Sequence, residues 1–490
     1  MKADLWRQEK IREMNGLREE CGVFGLWSPH RFEVARTVYY GLFSLQHRGQ
    51  ESCGIVVNDD GVFSEYKDLG IVNDVFTNER LDALGEGSIA VGHTRYGTTG
   101  QTDRNNAQPI VVNHIKGGMA LAHNGNIVNS FELRQALELQ GSIFQTTSDT
   151  EVIAYLITKE RLTSESIQEA INSAMNKIRG AYSLVIMSPA KLIAVRDPHG
   201  IRPLCYGVTE DGTYVVASES CALDAVSAKF VRDVDPGEIL VFSRDGIESI
   251  RDHCGSTDRN ICIFEYIYFA RPDSVIDGVS VHSARVNAGK ALAQDWPVDA
   301  DVVIGVPDSG LDAALGYAYQ SGIPYAMGFI KNKYIGRTFI APGQKQRERM
   351  VDIKLNVIKD EVKGKRVVLI DDSVVRGTTS KNIVQKLRDA GAKEVHLRLT
   401  APEFIDACYY GTDIPDSKNL LAANHSLEEM KEIIGCDSLG FLKKERLREM
   451  IGEKEARGYC SACFGDGYPA GRPQTNGKYR FERKLSDKDE

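Results

Sequence analysis

No uninterrupted apolar run in the 490-residue chain approaches the length that a helix needs to cross a bilayer. The first 20 residues are charged throughout and lack the apolar core of a secretory signal. Positive net charge is also missing, because the formal charge is −8, and this argues against broad binding to nucleic acid or to anionic membranes. We therefore expect a cytoplasmic protein whose partners are neither membranes nor nucleic acids.

The ten cysteines are scattered and do not form the dense framework of a disulfide-rich secreted protein. Together with the missing signal they predict reduced thiols, some of which could be metal ligands or catalytic groups. The apolar and charged fractions, 42% and 26%, are ordinary for a globular protein, and the length allows two or three domains.

The segment Lys365–Ser380 combines a strand, a polar turn and the start of a helix. Arg366–Ile370 is short, apolar and rich in β-branched residues, so we predict a buried strand. Two carboxylates, Asp371 and Asp372, follow it, and a turn with hydroxyls and a glycine leads into helical spacing from Ser380. Backbone N–H groups, threonine hydroxyls and a helix N-terminus directed at one place make an anion site.

Two acids beside a phosphate-binding turn suit a phosphorylated ligand whose hydroxyls can donate to the carboxylates. They also suit a divalent cation that binds both the ligand and the acids. The turn has no lysine, which excludes the GxxxxGK[ST] loop, and an ordinary strand–turn–helix connection is the alternative for the acids alone. The full stretch resembles the phosphoribosyl-pyrophosphate loop of the type I phosphoribosyltransferases. The resemblance implies that Asp371 and Asp372 hold the ribose hydroxyls, and that the 5-phosphate is bound by the turn residues Ser373, Arg376, Gly377, Thr378 and Thr379.

Two further segments belong with this loop. The predicted strand at 302–308 runs into a turn with Ser309, which could donate to pyrophosphate or lie near its Mg²⁺, together with the two loop aspartates. The stretch 330–349 is rich in lysine and arginine and alone would be a solvated loop. Beside a polyphosphate we interpret it as a mobile lid that neutralises the ligand and excludes water, with Lys333 and Arg337 as ligand-binding residues.

Five polar segments in the first third of the chain follow predicted strands. They read ECGVFG at 20–25, LQHRGQES at 45–52, GHTRYGTTG at 92–100, LAHNGNIVN at 121–129 and TTSDTE at 146–151. Any one of them is more typical of a loop than of a site. In this order, all five resemble the glutaminase domain of the N-terminal-nucleophile amidotransferases.

A glutamine amide is a poor electrophile, so its hydrolysis needs a strong nucleophile, an oxyanion hole and firm clamping. The resemblance implies that the nucleophile is Cys21 and that its own α-amino group, which titrates near neutral pH, is the base. Cys21 must then be the first residue of the mature chain, and residues 1–20 a propeptide. The side chain of Asn124 and the backbone N–H of Gly125 would form the oxyanion hole.

The same resemblance implies the contacts to glutamine. Arg95 would grip the α-carboxylate through its two-pronged guanidinium, Asp149 would take the α-ammonium, and Arg48 would brace the pocket. Cys53 is a competing thiol that we interpret as a core residue. We interpret His199 as a turn residue or a pocket wall, because the α-amine already serves as base.

Taken together, the motifs resemble the amidophosphoribosyltransferases over nearly the whole chain. This implies a two-domain α+β and α/β protein: an N-terminal-nucleophile αββα sandwich at 21–250, a doubly wound parallel phosphoribosyltransferase sheet at 261–465 and a mobile tail at 466–490. We predict 230–242 as the last hairpin before a linker at 251–260. The implied activity is the first committed step of purine synthesis, with ammonia passing from glutamine to the phosphoribosyl donor, in a homotetramer that purine nucleotides inhibit.

Four cysteines remain, and only the pair Cys460-Ser-Ala-Cys463 has metal-ligand spacing, which zinc would satisfy as well as an iron–sulfur cluster. The contexts ICIFEYIYFARPDS, ACYYG and YCSACF resemble the clostridial and bacillar type of the family. That likeness implies a structural [4Fe–4S] cluster on Cys262, Cys408, Cys460 and Cys463, and leaves Cys254 and Cys436 as non-ligands.

Two other functions fit part of the sequence. A different amidotransferase, acting on a sugar phosphate or an amino acid, would share the glutaminase half but would have no use for the DDSVVRGTT loop. A non-enzymatic sensor of phosphoribosyl pyrophosphate would share the loop but need not keep the five glutaminase residues.

We predict that protein purified without oxygen begins at Cys21 and carries four irons and four sulfides. Intact mass, N-terminal sequencing and iron and sulfide analysis check both points. A fully active chain that still begins at Met1 would contradict the α-amine mechanism, whereas a mature chain with zinc or without metal would remove the cluster alone.

Overall fold

The computed structural model describes residues 21–96, 103–332, 355–412, 414, 416–452 and 458–473. The predicted propeptide, the lid residues Lys333 and Arg337, and most of the predicted tail lie outside these ranges. Within them, no helix is long and apolar enough to span a membrane.

The strands of the first half are β1 (Gly22–Phe32), β2 (Ser52–Asp59), β3 (Val62–Leu69), β4 (Gly87–Arg95), β5 (Ile110–His114), β6 (Gly117–Ile127), β7 (Gly180–Met187), β8 (Leu192–Arg196), β9 (Cys205–Val208), β10 (Tyr214–Ala217), β11 (Lys229–Asp233), β12 (Ile239–Ser243) and β13 (Gly246–Ile250). Its helices are α1 (Val34–Ser44), α2 (Val72–Val75), α3 (Asn78–Leu84), α4 (Ser130–Glu138), α5 (Asp149–Arg161), α6 (Ile167–Met175) and α7 (Ser220–Asp224).

These strands form two antiparallel sheets, in the orders β11-β9-β10-β1-β4-β2-β3 and β13-β12-β8-β7-β6-β5. Apolar side chains of both sheets, among them Val91 and Val185, pack against each other between the layers. Helices α1–α3 and α7 cover the outer face of the first sheet, and α5 and α6 cover the second. The predicted αββα sandwich is confirmed, because each sheet has one face for its partner sheet and one for helices.

The predicted hairpin at 230–242 is wrong. β11 pairs with β9 in the first sheet, whereas β12 pairs with β8 in the second, so the last hairpin is β12–β13. The turn between β11 and β12 carries the chain from one sheet to the other. Gly237 has a φ of +80°, and a Cβ there would meet the carbonyl of His253 at 2.3 Å, so the glycine allows this crossing.

The second half contains β14 (Ile261–Cys262), β15 (Val275–Ile276), β16 (Val279–Ser280), β17 (Val302–Gly305), β18 (Phe329–Lys331), β19 (Leu355–Val357), β20 (Arg366–Asp371), β21 (Glu394–Leu399), β22 (Ser438–Phe441) and β23 (Tyr459–Cys460). Its helices are α8 (Val281–Asp295), α9 (Gly310–Ser321), α10 (Lys359–Val362), α11 (Thr378–Asp389), α12 (Leu421–Asn424), α13 (Leu427–Ile434) and α14 (Leu447–Ile451), and a π-helix spans Glu265–Phe269.

A parallel sheet in the order β17-β20-β21-β22 is the centre of this half. Val368 and Ile370 of β20 face the core with α8 and α9, and Val367 and Leu369 face the core with α11 and α13. A strand buried on both faces explains the continuous apolar run in the sequence. The predicted doubly wound sheet and the strand at 366–370 are therefore confirmed.

The two halves share one core. Val128, Ala181 and Ile201 of the first half belong to the same buried cluster as Ile370 and residues of α8 and α9 in the second. The halves are thus joined by apolar contact as well as by the polypeptide.

Helices α8 and α9 approach so closely that their backbones touch. A Cβ on Gly289 of α8 would lie 1.9 Å from the carbonyl oxygen of Ala313, and one on Gly316 of α9 would lie 2.0 Å from that of Val286. Both glycines are required by this contact, since any side chain would force the helices apart.

We predict that Gly289→Ala destabilises the protein by about 2 kcal/mol or more, because overpacking outweighs the gain of about 1 kcal/mol in helix propensity. Scanning calorimetry measures the shift in melting temperature. Gly467→Ala is the control, since a Cβ there meets nothing within 4 Å. Equal melting temperatures for the two variants would contradict the prediction.

Candidate active sites

The predicted nucleophile, Cys21, lies directly before β1. The β1–β4 pairing sets Gly22 opposite Thr94, so Cys21 lies beside the end of β4. Its Sγ donates to the carbonyl of Tyr96 at 3.6 Å, and its own carbonyl accepts from Arg48 Nε at 3.1 Å. The half-buried thiol is therefore held at the rim of the first sheet.

The predicted oxyanion hole lies on β6. The Nδ2 of Asn124 is buried and has no hydrogen-bond partner among the described residues. An unpaired buried donor is costly unless a ligand accepts from it. Gly125 has a φ of +140°, and a Cβ there would lie 2.1 Å from the carbonyl oxygen of Ala181 on β7. Only glycine fits this position, and the unpaired Nδ2 of the neighbouring Asn124 can donate to an oxyanion.

The predicted glutamine ligands lie close to this strand. Asp149 is the first residue of α5, and its Oδ2 accepts from the backbone N–H of Ile127, at the end of β6, at 3.0 Å. Arg95 ends β4, and its guanidinium forms an ion pair with Glu51, a residue that sequence reasoning did not single out. The structure thus brings Arg95 and Asp149 to the same sheet ends as Cys21 and Asn124.

Arg48 is more deeply buried than a pocket wall would be, with 1% of its surface exposed. Besides the Cys21 carbonyl, it binds Glu219 at 2.6 Å and both carboxylate oxygens of Glu265 at 2.8 and 2.9 Å. Its contact with the predicted nucleophile is through the backbone carbonyl of Cys21. Sequence reasoning missed both acids, because they are distant in the chain and their local patterns carry no signal.

The contact between two histidines, His93 on β4 and His123 on β6, could not be predicted from the sequence, although both lie in the matched motifs. His93 Nε2 lies 3.0 Å from the carbonyl oxygen of His123. Burial, helped by the charge of Arg95, lowers the pKa of His93 to about 3, and burial also lowers the pKa of His123. Both imidazoles are therefore neutral near pH 7 and serve as polar scaffolding.

Cys53 and His199, which the sequence analysis did not assign to catalysis, lie in the kinds of position expected for them. Cys53 is a core residue on β2, and burial raises the pKa of its thiol, which makes it a poor nucleophile. His199 lies in a turn, where its backbone N–H donates to Asp197 and its carbonyl accepts from Asn260 of the predicted linker.

The candidate phosphoribosyl site lies at the carboxyl end of the parallel sheet. Asp371 ends β20, and Asp372 follows it. Ser309, just before α9, donates to Asp372 Oδ2 at 2.6 Å, and Ser373 donates to the other oxygen. Burial raises the pKa of both acids; the charge of Asp372 adds to the shift of Asp371, and the two hydroxyls oppose that of Asp372. A divalent cation or the donating hydroxyls of a sugar would favour the ionised form of this pair.

The turn that follows opens onto a helix N-terminus. Gly377 has a φ of +80° and immediately precedes α11, so the helix begins at Thr378, two residues earlier than the spacing from Ser380 predicts. Thr378 and Thr379 are exposed, and Arg376 is half-buried. The first backbone N–H groups of a helix have no partner within it, so with the two threonine hydroxyls this end of α11 has the donors that an anion needs.

The four assigned cysteines line one small cavity, together with Tyr410 and Tyr468. The parallel β14–β23 pair sets Cys262 opposite Cys460. Burial, with the charge of Cys408, raises the pKa of Cys460 to about 12, so its thiol stays protonated without a cation. Cys254 and Cys436 do not line the cavity.

The chemistry of these side chains bears on which metal they suit. Among the described residues, no group of three or more histidine, cysteine or acidic side chains is placed to hold a metal ion. Four cysteines line the cavity, however, and four cysteine thiolates are a donor set of both zinc sites and [4Fe–4S] clusters.

Comparison with known proteins identifies the two halves. The family described as glutamine amidotransferase domain matches residues 93–225, and the phosphoribosyl transferase domain matches residues 283–402. The amidophosphoribosyltransferase of Bacillus subtilis (strain 168) is 49% identical over 463 residues, covering 94% of this chain and 96% of that protein. The amidophosphoribosyltransferase of Methanocaldococcus jannaschii is 50% identical over 463 residues, covering 92% and 97%.

Solved structures agree. A structure of the allosteric regulatory enzyme of purine biosynthesis has a TM-score of 0.86 at 48% identity, covering 92% of this chain and 96% of the other. Glutamine phosphoribosylpyrophosphate amidotransferase from B. subtilis, complexed with ADP and GMP, has a TM-score of 0.85 at 49% identity, covering 92% and 97%. The chain therefore belongs to the amidophosphoribosyltransferase family, the glutamine-dependent pentosyltransferases of the first step of purine biosynthesis.

Proposed function

We propose that the two sites carry out one coupled reaction in which ammonia released from glutamine passes through the protein to the phosphoribosyl donor. The products are 5-phosphoribosylamine, glutamate and pyrophosphate. The shared core carries this proposal: it contains Val128, close to the oxyanion strand, and Ile370, which directly precedes the ribose-binding acids. A continuous packed core thus joins the two sites, which supports their coupling.

In the glutaminase step, the α-amino group of mature Cys21 takes the thiol proton, and the thiolate attacks the amide carbon. The Nδ2 of Asn124, which has no other partner among the described residues, and the backbone N–H of Gly125 stabilise the oxyanion. The α-ammonium returns the proton to the departing ammonia. Water then hydrolyses the thioester, while Arg95 and Asp149 hold the two ends of the substrate.

In the transferase step, Asp371 and Asp372 hold the ribose hydroxyls, and the N-terminus of α11 holds the 5-phosphate. Mg²⁺ bound near Ser309 and the two acids would neutralise the pyrophosphate leaving group. The raised pKa of both acids supports such a site, because a divalent cation favours their ionised form. Lys333 and Arg337 of the predicted lid complete the proposed pyrophosphate contacts.

We assign Cys262, Cys408, Cys460 and Cys463 to a [4Fe–4S] cluster, supported by the cavity that they line. Bound there, the cluster would cross-link β14, β23 and the segment that follows β21, and the reaction needs no redox step. Iron and sulfide analysis of the mature protein tests this assignment.

Regulation and assembly are further parts of the proposal. The B. subtilis structure is a complex with ADP and GMP, and we propose that purine nucleotides bind this chain and inhibit it. A homotetramer and a cytoplasmic location stay predictions, which light scattering and cell fractionation test.

We predict that Asn124→Ala lowers kcat for glutamine about 10²- to 10³-fold, the usual effect of losing one oxyanion donor, and leaves ammonia-dependent synthesis intact. Steady-state assays with each nitrogen donor measure this. Asn113→Ala, at an exposed position of β5, is the control. If glutamine-dependent turnover stayed within a factor of about three of wild type, Asn124 would not be an oxyanion donor.

We predict that Asp372→Asn lowers synthesis from both glutamine and ammonia by about 100-fold, because ribose positioning and the metal site are both lost. A Mg²⁺ titration of the rate should show weaker activation. Asp389→Asn, on the exposed end of α11, is the matched control. Unchanged Mg²⁺ dependence in Asp372→Asn would remove this residue from the metal site.

A further inference from the structure

Glu265, a carboxylate of the second half, is linked to the predicted nucleophile Cys21 through the guanidinium of Arg48. The backbone carbonyl of Cys21 accepts a hydrogen bond from Arg48 Nε at 3.1 Å. In a mature chain no residue precedes Cys21. The orientation of its α-amine and thiol therefore depends on β1 and on what fixes the Cys21–Gly22 peptide, and Arg48 is attached to that peptide.

Arg48 can orient the Cys21 carbonyl only if its own guanidinium is held in place. Its Nη1 and Nη2 bind the two oxygens of Glu265 at 2.9 and 2.8 Å, which is a two-pronged contact with defined geometry. Glu265 is the first residue of the π-helix, and both side chains are fully buried. π-helical turns are frequent at functional sites, and this one aims a carboxylate at the glutaminase half.

A second acid, Glu219, completes the charge balance. It accepts from Arg48 at 2.6 Å, and also from Ser274 Oγ at 2.6 Å and the backbone N–H of Arg271 at 2.9 Å. Burial alone would raise the pKa of Glu219, but the charges of His47 and Arg48 outweigh it and lower the pKa. Glu219 stays ionised, so Arg48 lies between two carboxylates.

Glu265 also reaches the segment that carries a cavity-lining cysteine. Its Oε1 lies 3.4 Å from Arg202 Nη1, and Arg202 donates from Nη2 to the Tyr410 carbonyl at 2.7 Å. The next residue, Gly411, packs so closely that a Cβ would lie 3.5 Å from the Cα of Gly125. The same carboxylate is therefore linked to the segment behind the oxyanion glycine.

We propose that Glu265 is a positioning residue for glutamine hydrolysis, which orients Cys21 through Arg48. This inference rests on the proposed role of Cys21 as nucleophile. Glu265 touches neither substrate nor the reacting sulfur. Neutralising it breaks the two-pronged contact with the Arg48 guanidinium and removes one of its two carboxylate partners, while leaving the transferase loop untouched.

The structure offers a matched control. Arg196 and Asp277 form another buried, two-pronged ion pair between the halves, with both contacts at 2.8 Å. The other side-chain hydrogen bonds of Arg196 go to the carbonyls of Arg202, Val234 and Gly200, none of which is shown binding Cys21. Asp277→Asn therefore weakens an ion pair between the two halves, as Glu265→Gln does. It leaves the contact between Arg48 and Cys21 unchanged.

The test compares Glu265→Gln with Asp277→Asn in mature full-length protein. We expect Glu265→Gln to lower kcat for glutamine about 10- to 100-fold, with KM within about threefold, and to slow alkylation of Cys21 by iodoacetamide. Ammonia-dependent synthesis should stay near wild type. Asp277→Asn should change neither turnover with glutamine nor alkylation.

Equal effects of the two variants would overturn the proposal, and so would a parallel loss of ammonia-dependent synthesis in Glu265→Gln, because both outcomes mean a general structural role. If Glu265→Gln does not fold, Glu265→Asp decides: its shorter carboxylate cannot reach both guanidinium nitrogens, so wild-type kinetics would overturn the proposal. Cys21→Ala separates the two hypotheses, because full glutamine-dependent activity in that variant would instead overturn the proposed nucleophile.

Discussion

Charge buried between the two halves is the constraint on which the rest of the structure depends. Arg48, Arg196 and Arg202 are among the largest fully buried side chains, and their carboxylate partners Glu265 and Asp277 lie in the second half. A buried guanidinium without its carboxylate is strongly destabilising, whereas the pair itself adds little net stability. These ion pairs therefore favour one arrangement of the two halves, because any arrangement that separates a pair leaves a buried charge without its partner. Specificity of docking, more than strength, is what these pairs supply.

Sequence reasoning succeeded where function and local structure coincide. The strand that ends at Asp371 could be predicted, because a strand buried on both faces reads as an apolar run. The motifs also singled out Cys21, Asn124 and Asp149, which the structure places just before β1, within β6 and at the start of α5. In both cases a short window contains the information.

It failed where the partner lies far along the chain. Nothing near Arg48 indicates Glu265, and nothing near Arg95 distinguishes Glu51 from its neighbours. The sequence between β11 and β12 predicts a hairpin, because a Pro-Gly turn between two strands looks the same whether or not the strands share a sheet. The spacing of apolar residues indicates which face of a strand or helix is buried, but it does not indicate which other element packs against that face.

The β14–β23 pair has a consequence for the order in which the protein can fold during synthesis. It joins Cys262, at the start of the second half, to Cys460, in the last described strand. Closing so long a loop must wait until nearly the whole chain has left the ribosome, and its entropy cost must be met by contacts made at once. The first half can complete its sandwich well before then. An emerging chain thus holds a finished glutaminase scaffold while its cysteine cavity is still incomplete, so the cavity is closed only once synthesis is almost over.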